Sequence, residues 1–222
     1  MSAICTLGVT ALLVLAASAA GAGEIRGVLV LTRGVGHDVR KAGATAREAL
    51  RREAQDAVVY LESIPPDVER RLAQAPGSPS LGHGEMVRIA LTQRRFEPRI
   101  TPLVAGSSVE IRNRDSLYHN TFSISAAKRF DLGRFPPGRA DTVRFDRLGV
   151  VNLHCEIHPE MIGYVVVVPN HAIARPDSSG AFVLPALPRG DYTLRVWLPR
   201  RSEVVRTVHV PARGVARLEV RD

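Results

Sequence analysis

Cysteine is nearly absent from this chain. Of 222 residues only Cys5 and Cys155 carry a thiol. Cys5 sits inside an opening stretch, "MSAICTLGVTALLVLAASAAGA", that has no charged side chain in its 22 residues. That stretch has an apolar core of about a dozen residues, too short for a membrane span and of signal-peptide length. Ala20-Gly21-Ala22 fits the small-x-small rule for cleavage, although the usual Lys or Arg near the start is missing. The expectation is a removed secretory signal over residues 1–22, no stable span thereafter, and a periplasmic or secreted location. Export would leave Cys155 as the lone thiol, unable to form an internal disulfide. A leftover cysteine in an oxidising compartment is either a liability or a working group.

Other shortages narrow the function. Aromatic residues make up only 5% of the chain, while glycine and proline are plentiful, which suggests many turns. Basic residues outnumber acidic ones by 30 to 22, mostly as arginine scattered along the chain. A scattered excess attracts acidic partners or surfaces. Without aromatic rings interleaved among the arginines, the platform needed for single-stranded nucleic acid is missing, and no nucleic-acid partner is expected. No His-x-His pair occurs, so the histidine-rich centres of multicopper oxidases are not expected. A binuclear copper loop would need a second loop cysteine.

What remains is strand-like. "EIRGVLVLTRG" and "AVVYLESI" read as strands around a charged stretch expected to form a short exposed helix. "PPDVERRLAQA" spaces Val68 and Leu72 four apart as a brief helix, and "PGSPSLGHG" reads as a loop. From Glu85 about seven short strands follow without a convincing helix, among them "HNTFSIS" with Phe122 and Ile124 on one face. That spacing indicates a β-sandwich. From Asn170 the chain alternates again, with Phe182 and Leu184, then Tyr192, Leu194 and Val196, as in a second small sandwich.

The chemistry lies in "NLHCEIHPEM". Cys155, His158 and Met161 follow the spacing C-x-x-H-x-x-M, which lets one tight loop turn three side chains toward one point. Two histidines and a cysteine with a weak axial methionine constitute a type 1 copper site. The second histidine must come from elsewhere, and His119 in "DSLYHNTFS" is the obvious donor. Zinc fits less well, since thioether is a poor zinc ligand. His154 adjoins Cys155 but points to the opposite side of a strand. His37, His83, His171 and His209 read as isolated surface residues.

Residues 85–169 resemble the cupredoxins, close to the amicyanin and pseudoazurin group. The matching pieces are "FEP", "AGSSVEIRNRD", "HN" and "HCEIHPEM" followed by x-Gly. The resemblance implies a Greek-key sandwich holding one copper through His119, Cys155, His158 and Met161. It also implies one-electron transfer with His158 as the electron port. The expected function is an exported blue copper carrier between redox proteins, a cytochrome or dehydrogenase with an acidic surface among the partners. A resemblance to methylamine-utilisation proteins of two-part layout suggests an amine-dehydrogenase link. The alternatives are copper handling with the same ligands and a structural β-module; no enzymatic activity is expected. Asn120 is expected to tie the His119 strand to the Cys155 loop. Pro159, which has no N–H to donate to the thiolate, is expected to influence the potential.

The tail resembles carboxypeptidase-regulatory-like, transthyretin-like sandwiches. Their usual first strands have counterparts here in "IRGVLV" and "AVVYLE", far upstream. The expected organisation is therefore all-β and discontinuous. Residues 23–64 and 170–222 would form one sandwich, 65–84 a linker, and 85–169 an inserted cupredoxin domain, with short helices near the N-terminus.

Overall fold

A computed structural model describes residues 22–31, 33–34, 37–38, 44–75 and 86–221. The strands in chain order open with β1 (Ala22–Val30), β2 (Arg33–Gly34) and β3 (His37–Asp38). The helix α1 (Ala44–Gln55), β4 (Val58–Leu61) and the helix α2 (Pro66–Ala73) follow. Next come β5 (Val87–Thr92), β6 (Arg95–Glu97), β7 (Ile100–Val104), β8 (Ser107–Asn113), β9 (His119–Ser125) and β10 (Lys128–Phe135). Then come β11 (Ala140–Phe145), β12 (Gly149–His154), β13 (Ile162–Val168) and β14 (Ile173–Ala174). The last four are β15 (Ala181–Pro188), β16 (Gly190–Trp197), β17 (Val204–Val210) and β18 (Gly214–Arg221). The molecule is all-β apart from the two helices. Among the described residues no helix is long and apolar enough to cross a membrane. Of the expected signal segment only Ala22 is described, as the first residue of β1; residues 1–21 lie outside the described residues.

Nine strands, β5 to β13, build a middle sandwich, two more than the sequence pattern suggests. One sheet has the order β10-β9-β12-β13-β7 and the other β11-β8-β5-β6. The extra strands are β6, too short to show a period, and β10, whose "KRFDLGRF" is mostly polar and half-exposed. Between the sheets lies a core containing Ile89, Leu91, Phe96, Val109, Ile111, Phe135, Phe145, Leu153 and Val165. Phe96 packs flat on Gly163, where an added Cβ would come within 2.9 Å of the ring. Only glycine allows that approach.

The first strand and the tail share one sheet. β1 runs antiparallel to β15 and parallel to β18, so that Val28 lies opposite Ala181 on one side and Glu219 on the other. β4 is likewise flanked by β14 and β16. These two sheets enclose a core containing Ile25, Leu29, Leu61, Phe182, Leu184, Leu194 and Val196. Both helices pack against it. The charged helix α1 is not simply exposed: its Leu50 and Ala54 are buried in this core. α2 falls within the span expected to be a linker, but Val68 is fully buried and Leu72 packs beside it. The four-residue spacing that makes α2 amphipathic also gives it a place in the core.

The two sandwiches meet through a third apolar cluster. Val58 joins Ile100, Tyr164, Val166 and Val168, with Tyr60, Ile173 and Trp197 packed around them. Tyr164 and Trp197 pack with ring centroids 5.4 Å apart and planes tilted by 59°. This contact explains β13, whose residues Gly163 to Val168 are all buried. Val165 and Val167 point into the middle core, whereas Tyr164, Val166 and Val168 point into the seam. An unbroken apolar run is what a strand covered on both faces requires.

Candidate metal centre

The centre forms where β9 begins and β12 ends. β9 shows an inverted pattern: His119, Thr121 and Ser123 face inward and are buried, while Ile124 is 74% exposed. The shared face of Phe122 and Ile124 is therefore the outer one. β12 delivers Cys155 at its end, and the chain then turns through Pro159 and Glu160 before β13 starts at Ile162. The turn is closed by the Met161 N–H donating to the His158 carbonyl at 2.9 Å. Pro159 sits at the second position of that turn, where its fixed φ is already suitable.

Three expected ligands converge. His119 Nδ1 and His158 Nδ1 are 3.1 Å apart, and each lies 3.8 Å from Cys155 Sγ. Bonds of about 2.0 Å from nitrogen and about 2.3 Å from sulfur are typical of a four-coordinate metal in such a site. The observed separations are shorter than the sums of those bonds, so one ion can touch all three atoms. Among the described residues these three form the one group of histidine, cysteine or carboxylate side chains with such metal-binding proximity. Met161 is 1% exposed and belongs to the same core cluster as Cys155. Two imidazoles, a thiolate and a nearby thioether suit copper in both of its common oxidation states. His119 is fully buried, Cys155 is 3% exposed, and His158 is half-buried.

The sequence reading missed Asp115, which fixes the orientation of His119. Its Oδ2 lies 2.8 Å from His119 Nε2. That contact engages Nε2 and leaves Nδ1 for a metal, the usual arrangement of an imidazole ligand supported by a carboxylate. Asp115 also accepts the backbone N–H groups of Gln93 and Arg94 at 2.5 and 2.9 Å. Burial pushes its carboxyl pKa up, but the Arg94 N–H, the His119 ring and the Gln93 N–H outweigh this and hold it below its ordinary value. Asn113, 1% exposed, shapes the intervening loop. Its Nδ2 donates to the carbonyls of Leu117 and Phe135, and its Oδ1 accepts the Asp115 N–H. The available signal was the four-residue spacing from Asp115 to His119 in "DSLYH".

Asn120 has a different job from the one expected. Its Nδ2 donates to Asp131 Oδ1 at 2.7 Å and to the Gly133 carbonyl at 3.2 Å. It therefore ties β9 to the irregular part of β10 and not to the Cys155 loop, while its buried Oδ1 has no partner. The reason is the sheet order: β10 is the neighbour of β9 beyond the site. His154 stays out of the cluster and packs beside the Phe122 ring at 5.7 Å. His209 is 60% exposed beside Asp191. His171 is not a surface residue: its side chain is 9% exposed, with Nδ1 2.5 Å from Glu69. α2 covers it, and its Nε2 is buried without a partner. His83 and the side chain of His37 lie outside the described residues.

No family model matches the chain, and neither does any curated protein. Solved structures similar to part of it include a purple cupredoxin from Nitrosopumilus maritimus, 25% identical with a TM-score of 0.33. That match covers 36% of this chain and 98% of the other. A copper-containing nitrite reductase from Thermus scotoductus is 23% identical with a TM-score of 0.37, over 47% of this chain and 27% of that one. A reduced amicyanin mutant is 20% identical with a TM-score of 0.35, over 50% of this chain and 98% of that one.

Proposed function

We propose that the chain is an exported type 1 copper protein that carries single electrons between redox partners. The observation that carries this reading is the approach of His119 Nδ1, His158 Nδ1 and Cys155 Sγ to within 3.8 Å of one another, with Met161 buried in the same cluster. Bound there, copper would supply a one-electron couple between Cu(I) and Cu(II).

The protein's own residues do the rest. Asp115 holds the His119 ring in one orientation, and the core holds Cys155 and Met161 away from water. A donor set kept rigid in this way changes little when charge arrives or leaves. His158 is the electron port of this reading, being the one ligand that is not fully buried. Leu117, Tyr118 and Ile157, in the loops that carry the two histidines, are about half exposed. They give a redox partner an apolar landing surface, and the basic balance of the chain favours an acidic partner. The reading assigns all four donors to the protein, and no enzymatic role is proposed. Export rests on the uncharged opening segment and the lone remaining thiol.

The test is addition of Cu(II) to the purified protein lacking residues 1–22. An intense visible thiolate-to-copper band, lost in Cys155→Ser, is expected; a colourless protein overturns the assignment. A reversible potential with fast self-exchange distinguishes a carrier from a copper-handling protein, which would instead release its ion readily to a chelator.

A further inference from the structure

The seam between the sandwiches forms one side of a half-open cavity of about 460 Å³ at the far ends of β12 and β13 from the metal centre. That volume is within the range of small-molecule sites. One wall is apolar, with Leu148 and Val166 from the middle sandwich facing Trp197 from the other. The opposite end is polar and built wholly from the flanking sandwich. There Arg195 donates through Nη1 to Glu203 at 2.6 Å, and through Nε and Nη2 to one oxygen of Glu62 at 3.3 and 3.1 Å. The Tyr60 hydroxyl donates to the other Glu203 oxygen at 2.6 Å.

The charges in this end do not balance. Two carboxylates, Glu62 and Glu203, stand against one guanidinium, Arg195, leaving one negative charge at the end of an apolar slot. Both Glu203 oxygens are engaged, whereas among the described residues Glu62 has partners only at Oε2, which leaves its Oε1 to accept a donor. The aromatic rings of Tyr60 and Trp197 among the walls also favour a cation. Burial, and then the hydrogen bond to Glu203, raise the pKa of the Tyr60 phenol. Tyr60 therefore stays a neutral donor at physiological pH.

The geometry points to a binding site for a small amphipathic cation, with an aromatic or branched apolar body against Leu148, Val166 and Trp197 and an ammonium group on Glu62. This site is separate from the metal centre and does not depend on copper. The ligand would touch both sandwiches, so occupancy would also hold them together.

Trp197 is the only tryptophan in the chain, so the site reports on itself. The experiment titrates the full chain, copper-free, with 2-phenylethylammonium while following Trp197 emission. 3-Phenylpropionate, with a similar body and opposite charge, is the matched control. A saturable change with the ammonium and none with the carboxylate is expected. Glu62→Gln, whose wild-type side chain is 50% exposed and not needed for the core, should weaken binding at least about tenfold, as expected for a hydrogen bond to a charged group. An equal response to both probes, no saturation, or unchanged affinity in Glu62→Gln overturns the proposal.

Discussion

The two sandwiches are built alike and bury different things. The middle one encloses Thr101, Asn113, His119, Asn120, Thr121 and Ser123, most of them between residues 113 and 123. Among the described residues, the rest of the protein buries one polar residue, Asn170, which bonds to the Leu61 carbonyl and the Ala172 N–H at the junction, with the nearly buried His171 ring beside it. Burying polar groups is costly unless their partners are in place. Their concentration in one segment marks where the fold gives up packing for chemistry. The flanking sandwich has no such segment, and its special feature is the mixed cavity at its edge.

The largest effect that sharpens this contrast belongs to the flanking core. Leu61→Ala removes a fully buried side chain and should cost about 2–5 kcal/mol in denaturant unfolding. The visible copper spectrum of the folded fraction should stay unchanged, and a shifted band would break the contrast. Asp115→Asn should do the reverse: copper affinity, measured by chelator competition, should fall about 10–100-fold with a smaller change in folding stability. Pro159→Ala should shift the reduction potential measured by voltammetry, because it returns an N–H near the Cys155 sulfur. An unchanged potential removes Pro159 from the account of the site.

The smallest effect concerns acid. Asp177 is held below the ordinary carboxylate value by the Ser179 hydroxyl, the Ser179 N–H and the Ala181 N–H. A lowered folded value means that its contribution is present above the unfolded value of about 3.9 and fades as the pH falls through the folded one. Asp177→Asn should therefore flatten the loss of stability below about pH 4, read from melting temperatures across that range. An identical acid profile would show that the turn contributes nothing.

How much of this was legible varied with the kind of signal. The spacing of Cys155, His158 and Met161 is local, so the sequence carries it whole. β13 announced itself because a strand covered on both faces needs an unbroken apolar run. β9 was legible as a strand with Phe122 and Ile124 on one face, but not which face is inner: the inward one is polar and the apolar one points outward. Local pattern and global fold disagree at this strand because the site needs His119 inside. Asp115 had only its four-residue spacing to His119 as a signal, and that is weak for another reason. An aspartate in a polar loop looks like any turn residue until the Gln93–Arg94 hairpin folds over it. β10 was hidden by its charged residues, and His171 by the helix that covers it.

The pairing of β1 with both β15 and β18 has a consequence for how the chain is born. Roughly 190 residues separate Gly23 from its parallel neighbour Gly214. At the usual pace of about 5–20 residues per second, synthesis needs some ~10–40 s to bring that partner out. The antiparallel partner of β1, β15, comes sooner, with Ala181 roughly 150 residues behind Val28. Until β15 emerges β1 has no strand to pair with, while every strand of the middle sandwich is already out. By chain order alone, every strand of the middle sandwich is available before the surrounding one can close. The opening strand must stay unfolded and unaggregated through that interval, which places the vulnerable moment of this protein in its assembly and not in its finished core.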